Sequence, residues 1–313
     1  MNDIPVIFFH IGNSDYLPQI LAQAQKYNDR VVLIGDPRNE FVDDEIEWYD
    51  CTDFVSDDLN QFSSSYQHFS INGKDFEIAC IARWFVIRNF LRRFNLESCV
   101  YLDSDIMAYS NFTEEVKKFA HADAAIMYPD HQPEYRWGAS GHNSYWTVSA
   151  LADFCDFILK LYTTEEGLQK LVEKWNHHWQ HELPGGVCDM SLLHLFYNDP
   201  TPRRIVNLSM VTEGATYDDN LNSSENHKQE EYRLAPGPDY VYKILEDSGP
   251  PPHDWTTVDL SESIFKEIKW EDGIPYCFNI KEDAWVRFNT LHFQGNFGKI
   301  YLRHLADSSK GKE

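Results

Sequence analysis

Three short apolar runs, each followed by turn-forming residues, do most to limit what this chain can fold into. Val6-Ile7-Phe8-Phe9, Val31-Val32-Leu33-Ile34 and Val100-Tyr101-Leu102 are continuous, not alternating, as expected of strands buried on both faces of a sheet. Segments of helical spacing lie between them. Residues 16–27 place Leu17, Ile20, Leu21 and Ala24 on one face. Residues 78–94 hold no Gly or Pro and are apolar around most of the circumference, which predicts a buried helix. The second run stops at Gly35-Asp36-Pro37 and the third at Asp103-Ser104-Asp105. Residues 124–127 and 145–148 read as further strands. This order predicts an α/β fold with a mostly parallel central sheet flanked by helices. In such sheets ligands sit beyond the carboxyl ends of the strands.

Helices are expected to dominate residues 150–197. There Thr163-Thr164-Glu165-Glu166 fits a capping box opening a helix that runs to about Trp179. Residues 212–252 change character, with Asp218-Asp219-Asn220 and Gly249-Pro250-Pro251-Pro252. They read as a polar excursion over the site or at the surface, since loops this long are usually functional or poorly ordered. Residues 284–288 return to strand character, and 290–299 read as a Gly-punctuated loop.

The sharpest chemical signal is Tyr101-Leu102-Asp103-Ser104-Asp105-Ile106. Two carboxylates two residues apart directly follow a buried strand. Where the pleat relaxes, both can turn toward one ion. A hard divalent cation wants oxygen ligands and keeps positions for phosphates. An Asx turn is the plain alternative. The apolar strand ahead and Ile106-Met107 behind place the carboxylates at the ligand-binding edge and favour metal. A second signal is Leu291-His292-Phe293-Gln294-Gly295-Asn296-Phe297-Gly298-Lys299. His292 can complete a metal shell. Gly295 and Gly298 let the backbone approach a phosphate closely, and Lys299 brings positive charge. Alone this is a common pattern that is usually a structural loop, and its weight comes from pairing with the Asp-Ser-Asp turn.

With Ala82-Arg83-Trp84-Phe85 ahead of it, the segment from Val100 to Ile106 resembles the nucleotide-sugar half of GT-A glycosyltransferases. Within that superfamily it is most similar to glycosyltransferase family 8 and related bacterial glycan-assembly enzymes. The resemblance implies a single GT-A domain with a Rossmann-like nucleotide-binding half. Residues 1–130 would form the nucleotide-sugar half, 131–211 the acceptor side, 212–283 the excursion or lid, and 284–313 the metal and phosphate loop with the tail. It implies that Asp103 and Asp105, flanking Ser104, hold Mn²⁺ or Mg²⁺ on a nucleotide diphosphate, with Arg83 beside the diphosphate or donor sugar. The loop at His292 is similar to the family's H-x-x-G-x-x-K-P-W element, in which His is a metal ligand and Lys binds phosphate. Here it reads H-F-Q-G-N-F-G-K, one residue longer, with Ile300-Tyr301 where Pro-Trp is expected.

Other positions follow from the same template. Phe9-His10-Ile11-Gly12 leaves the first strand, where the family places base and ribose contacts. Asp36 leaves the second, where a carboxylate could meet uracil or ribose; for His10 and Asp36 a turn role stands equally. Asp189, in Pro184-Gly185-Gly186-Val187-Cys188-Asp189-Met190, could bind sugar hydroxyls or sit near the anomeric carbon. As a first-turn carboxylate it would equally suit the helix dipole. Gly141-His142-Asn143-Ser144-Tyr145-Trp146 is a candidate sugar contact. His177, His178 and His181 lack the further ligands a zinc site needs and read as a solvated or core feature.

The expected activity is a metal-dependent transfer of a hexose from a nucleotide-diphosphate sugar, UDP-linked, to a glycan or other hydroxyl acceptor, with retention. The ion, Lys299 and Arg83 would stabilise the departing diphosphate. Two other classes remain. An Asp-based phosphotransferase would use Asp103 as nucleophile, but Ile106-Met107-Ala108 supplies no hydroxyl after the second Asp. A non-catalytic carbohydrate-binding protein would keep a degenerate site. The net charge bears on partners: 27 Lys and Arg against 50 Asp and Glu leave −23 over 313 residues. With no basic stripe, nucleic acid and a polybasic membrane anchor are excluded. No run approaches the roughly 20 apolar residues of a membrane span. The first residues lack an export signal, and six scattered cysteines read as reduced thiols, so a cytoplasmic location is expected. Acidity also makes a cation a near requirement for holding a diphosphate.

Overall fold

The computed structural model describes residues 3–40, 46–227, 230–236, 265–295 and 298–302. In chain order these begin with β1 (Val6–His10), α1 (Leu17–Gln25), β2 (Val31–Gly35), β3 (Glu47–Asp50), α2 (Asp57–Ser65), α3 (Lys74–Arg93), β4 (Ser98–Asp103) and β5 (Ile106–Ala108). Next come α4 (Phe112–Glu115), β6 (Ala124–Met127), β7 (Ser140–Thr147), α5 (Val148–Thr163), α6 (Glu165–Gln180), α7 (Asp189–Tyr197) and β8 (Ile205–Asn207). The remainder carries β9 (Ala215–Thr216), β10 (Leu234–Ala235), β11 (Phe265–Lys266), β12 (Ile268–Glu271), β13 (Ile274–Asn279), β14 (Ala284–Phe288) and β15 (Thr290–His292). The chain divides into two compact units. The first comprises Met1–Asn13, Asn28–Asp103 and Phe112–Leu208; the second comprises Ser14–Tyr27, Ser104–Asn111 and Ser209–Glu313.

The first unit is built on a seven-stranded sheet of order β3-β2-β1-β4-β7-β6-β8. β3, β2, β1 and β4 run parallel, β7 is antiparallel to both its neighbours, and β8 is parallel to β6. This is the expected mostly parallel α/β sheet. The register aligns His10 with Gly35, Gly35 with Asp50, and Phe9 with Asp103. The carboxyl ends of four strands therefore lie along one edge. The apolar runs are buried as their continuity predicts: Val6, Ile7, Phe8, Val32, Leu33 and Leu102 are all fully covered.

Helix α3 explains how that edge acquires a basic residue. It spans 20 residues and starts at Lys74, four residues ahead of the expected start, because Asp75 and Glu77 suit the positive end of the helix dipole. Ile81, Trp84, Phe85, Ile87, Phe90 and Leu91 are fully buried. Trp84 is the pivot. Its ring lies 5.1 Å from Tyr101 of β4, 5.6 Å from Trp146 of β7 and 5.8 Å from Phe154 of α5. Gly141 makes room for it: a Cβ there would stand 2.5 Å from the indole Cη2 and 3.2 Å from Leu193. Arg88 of α3 is also buried and binds Asp58 of α2 at 2.6 Å.

Two boundaries differ from the sequence reading for local reasons. β7 starts at Ser140, not 145, because its polar residues are buried in the sheet, as where the Ser144 hydroxyl donates to the Gly141 carbonyl at 2.8 Å. The cap of α6 is Thr164, whose hydroxyl accepts from Gly167 N at 3.1 Å. Thr163 is already the last residue of α5, so the capping box anchored there does not form.

In the second unit β12, β13, β14 and β9 form one sheet, and β10 with β11 and β5 with β15 form two-stranded pairs. The expected excursion at 212–283 thus contributes strands β9 to β13. Its residues 228–229 and 237–264, including the Gly249-Pro250-Pro251-Pro252 run, lie outside the described residues. The first residues of the expected loop 290–299 are strand, because Thr290, Leu291 and His292 pair with Ala108, Met107 and Ile106. Among the described residues no helix is long and apolar enough to cross a membrane.

Gly141→Ala tests the Trp84 contact. Overpacking of this kind is expected to cost about 1–3 kcal/mol, read as a lower denaturant midpoint with unchanged slope.

Candidate functional site

In the first unit the site begins where β4 ends. Tyr101 and Asp103 are two apart on one strand and so share a face. The Tyr101 hydroxyl donates to Asp103 Oδ1 at 2.6 Å and accepts from Arg83 Nη1 at 2.9 Å. The same Nη1 binds Asp103 Oδ1 at 2.8 Å, while Nη2 binds Asp189 Oδ2 at 2.5 Å. The guanidinium lies against the rings of Trp84 and Tyr101, 5.0 and 5.1 Å from their centroids. Arg83 thus bridges the end of β4 to the first residue of α7, so one cation serves two carboxylates and the group carries a net negative charge. Burial raises the Asp189 carboxyl, Arg83 draws it down and Asp103 pushes it up; the outcome is a pKa above the ordinary value. Burial opposes the charge on Arg83, but Asp103, Tyr101 and Asp189 hold it firmly protonated. The buried Arg83 Nε–H meets no acceptor among the described residues.

Along the same edge, the turns after β1 and β2 are tied together. Gly12 N donates to Asp36 Oδ2 at 3.1 Å, and the Asn39 side chain donates to the Gly12 carbonyl. Asp36 caps the short 3₁₀ turn Pro37–Asn39, and Arg38 holds its carboxyl below the usual range. His10, Gly12 and Asp36 are therefore neighbours, with Asp36 already serving as a turn builder. The candidate sugar-contact segment 141–146 is buried strand, with Asn143 and Trp146 fully covered. His178 is also structural, bonding to the carbonyls of Pro184 at 2.9 Å and Tyr135 at 3.1 Å.

The second unit gathers Asp105, His292 and Lys299. β15 runs beside β5 with His292 opposite Ile106, and Phe293 N donates to the Asp105 carbonyl at 3.0 Å. This brings His292 Nε2 to 3.3 Å from Asp105 Oδ1, and Lys299 Nζ to 3.4 Å from Asp105 Oδ2. Burial pushes the Asp105 carboxyl up, but His292 and Lys299 outweigh it and hold it well below the usual carboxylate range. The positive φ of Gly295 carries the chain out of β15, and Gly298 packs so closely on Phe293 that a Cβ would stand 2.5 Å from its carbonyl carbon. Ser104 falls in this unit, on the turn that links the two aspartates.

The donor chemistry fits a hard divalent cation. Two atoms bound to one such ion at about 2.0–2.5 Å stand roughly 3–3.5 Å apart, and Asp105 Oδ1 and His292 Nε2 stand 3.3 Å apart. Among the described residues no cluster of three or more His, Cys, Asp or Glu side chains is grouped around one point. A further cavity of ≈ 420 Å³ in the first unit is lined by Tyr135, Trp137, Phe157, Lys170 and Asn198, among others. Its aromatic faces are engaged: Trp137 stacks on His194 and Tyr135 on His177.

Several participants carried no mark in the sequence. The role of Tyr101 could have been found from its i, i+2 spacing to Asp103. Asp218 and Asp219, which grip His292, and Lys266, which binds Asp218, had no such signal, because they come from distant parts of the chain.

No protein family profile matches the chain, and no curated protein matches its sequence. Solved structures do show similarity. Mouse xyloside xylosyltransferase 1, in apo form, is 12% identical with a TM-score of 0.45, covering 66% of this chain and 85% of that one. The apo structure of the WbbM bifunctional glycosyltransferase is 12% identical with a TM-score of 0.43, covering 70% of this chain and 41% of that one. A glycosyltransferase involved in glycosylation of the major capsid of PBCV-1 is 10% identical with a TM-score of 0.34, covering 67% and 83%.

Arg83→Met leaves two buried carboxylates without their cation and is expected to cost about 3–5 kcal/mol in urea unfolding; adding Asp189→Asn recovers part of it. The raised Asp189 pKa has a definite sign. The folded state takes this proton more readily than the unfolded chain, so the contribution of this group is fully present below the unfolded value near 3.9 and is lost as pH rises through the folded value. Carboxyl ¹³C NMR should show Asp189 titrating above the ordinary range, and Asp189→Asn should remove that part of the pH dependence.

Proposed function

We propose that this chain is a glycosyltransferase that moves a hexose from a UDP-linked sugar to a glycan or other hydroxyl acceptor, with a divalent cation and with retention at the anomeric carbon. The observation that carries this reading is Arg83, a buried guanidinium at the carboxyl end of a sheet strand. It binds two carboxylates and keeps a buried Nε–H without an acceptor among the described residues. An oxygen-rich anion such as a sugar diphosphate offers that acceptor. The net negative charge of Arg83, Asp103 and Asp189 calls for a second cation before an anion can approach.

Asp103, Asp105 and His292 would hold Mn²⁺ or Mg²⁺, which when bound neutralises charge on the departing diphosphate. Lys299 is partly exposed and can leave Asp105 for a phosphate oxygen once a stronger cation takes its place. Asp189, fixed by Arg83 and by Met190 N at 2.9 Å, accepts hydrogen bonds from donor-sugar hydroxyls and so orients the anomeric carbon. Arg83 stabilises negative charge as the sugar departs, a fixed donor that costs no reorganisation. The acceptor hydroxyl gives its proton to the departing donor phosphate. His10 ends β1, Gly12 and Asp36 follow β1 and β2, and these three serve the base and ribose, while Ser104 and Gly295 border the phosphates. A cytoplasmic site of action belongs to the same reading.

Calorimetric titration of UDP with and without Mn²⁺ is the direct test. Binding should depend on the ion, and Asp105→Ala or His292→Ala should weaken it by at least tenfold. UDP affinity that ignores both the metal and these substitutions would sink the proposal. Slow release of free hexose from a UDP-sugar without acceptor, and no release of phosphate from a chromogenic ester, separates a transferase from a lectin and from a phosphotransferase.

A further inference from the structure

The loop between β6 and β7 is held in a conformation its residues do not favour. Tyr135 and Trp137 both sit at positive φ, 57° and 41°. Bulky side chains rarely adopt this region and keep it only where the surroundings enforce it. The buried Lys174 of α6 donates to the Tyr135 and Arg136 carbonyls at 2.6 and 2.9 Å, and His178 Nε2 lies 3.1 Å from the same Tyr135 carbonyl. Gln132 closes the loop, accepting from Gly138 N at 2.6 Å and reaching His194 Nδ1 at 2.8 Å. Backbone strain that is enforced in this way clusters at ligand clamps.

Both strained residues line the cavity of ≈ 420 Å³ in the first unit, a volume within the roughly 300–1,000 Å³ of small-ligand sites. Stacking of Trp137 on His194 and of Tyr135 on His177 fixes each ring from one side and makes that wall rigid. Phe157 and Leu161 extend its apolar part. The polar part sets Glu134, Glu173 and Asp199 against one ammonium, that of Lys170. Lys170 is shared with Glu166 and Asp199 is paired with Arg203, so the wall keeps an acidic excess. A ligand that suits it has an apolar face, several hydrogen-bond donors and no negative charge. A neutral saccharide has all three, in its C–H faces and its rim of hydroxyls. A nucleotide or a sugar phosphate is repelled.

The cavity is placed to serve an acceptor. β7 is antiparallel to both β4 and β6, so β6 runs with β4, and its loop leaves the sheet at the edge where Asp103 lies. Asp189 opens α7, and Leu195 and Asn198, further along that helix, line the cavity. At 1.5 Å per residue the separation is roughly 9–14 Å along the axis, further than one sugar ring reaches. We propose that this cavity is a subsite for a neutral oligosaccharide acceptor and holds a unit that does not react, with Tyr135 and Trp137 as its rigid wall and Glu134, Glu173 and Asp199 receiving its hydroxyls. The acceptor role rests on the transferase reading above; the binding of a neutral saccharide does not.

The test uses the full chain, first without UDP or metal. Neutral tetrasaccharides of glucose, mannose, galactose and N-acetylglucosamine, in α- and β-linked series, are titrated by NMR of the tryptophan indole N–H signals, with tetragalacturonate as the acidic control. At least one neutral tetrasaccharide should bind. Trp137→Ala should weaken it by about tenfold. Because Trp137→Ala also removes the stacking on His194, Glu134→Gln, an exposed change, is measured beside it and should weaken binding by about fivefold through loss of a charge-assisted hydrogen bond. With UDP-sugar present, KM should fall from disaccharide to tetrasaccharide acceptors of the bound series, and Trp137→Ala should remove that length dependence. No binding of any neutral tetrasaccharide, binding that either variant leaves unchanged, or tighter binding of tetragalacturonate overturns the inference. Saccharide binding without a length dependence in transfer overturns the acceptor role alone. Saccharide binding by a chain that does not bind UDP with Mn²⁺ overturns the transferase reading and the acceptor role, and leaves the saccharide subsite standing.

Discussion

A carboxylate taken out of water must find a cation or give up its charge, and this acidic chain takes several out of water at once. Asp103 and Asp189 share Arg83, Asp58 has Arg88, Asp105 has His292 and Lys299, and Asp218 has Lys266. With 27 basic residues against 50 acidic ones, cations are the scarce resource. Arg83, Arg88 and Lys266 stand where the fold holds a carboxylate in place, while the buried Lys174 donates to the Tyr135 and Arg136 carbonyls. The two groups assigned to chemistry differ in kind. Arg83 is outnumbered by its carboxylates, whereas Asp105 is matched by an imidazole and an ammonium.

The apolar core sets those positions. Trp84 and Arg83 are adjacent on α3, so the packing that fixes one aims the other. The indole is wedged among Tyr101, Trp146, Phe154 and the bare backbone of Gly141. The guanidinium then emerges at the end of β4, where Tyr101 and Asp103 present the same face. Side chains in a close-packed core have little room to shift, and this makes a long, flexible arginine into a fixed donor.

Much of this was legible in the linear chain. Continuous apolar runs ending in Gly35-Asp36 and Asp103-Ser104-Asp105 announced buried parallel strands. The helix carrying Arg83 followed from a stretch without Gly or Pro. Failures came where local pattern and tertiary context disagree. Ser140, His142 and Asn143 look like loop residues, yet the sheet buries them. Residues 212–236 and 265–283 look like an excursion because their strands are short and polar on one side, and pairing becomes visible only between partners far apart in the chain. The cap of α6 slipped by one residue because α5 takes Thr163 for itself.

Residue types and spacing determined, by themselves, the α/β class, and they singled out Asp103, Asp105 and His292 as candidate donors, since oxygen and nitrogen ligand chemistry is a property of side chains. What only the tertiary structure decided is how those donors are held: Arg83 between Asp103 and Asp189, Lys299 on Asp105, and the His292 ring turned by the Asp219 carbonyl behind a buried Lys266. The physical reason is range. Strand and turn preferences act over a few residues, whereas Arg83 to Asp189 spans 106 positions and Asp218 to His292 spans 74, and a hydrogen bond across such a distance exists only once the fold has closed it.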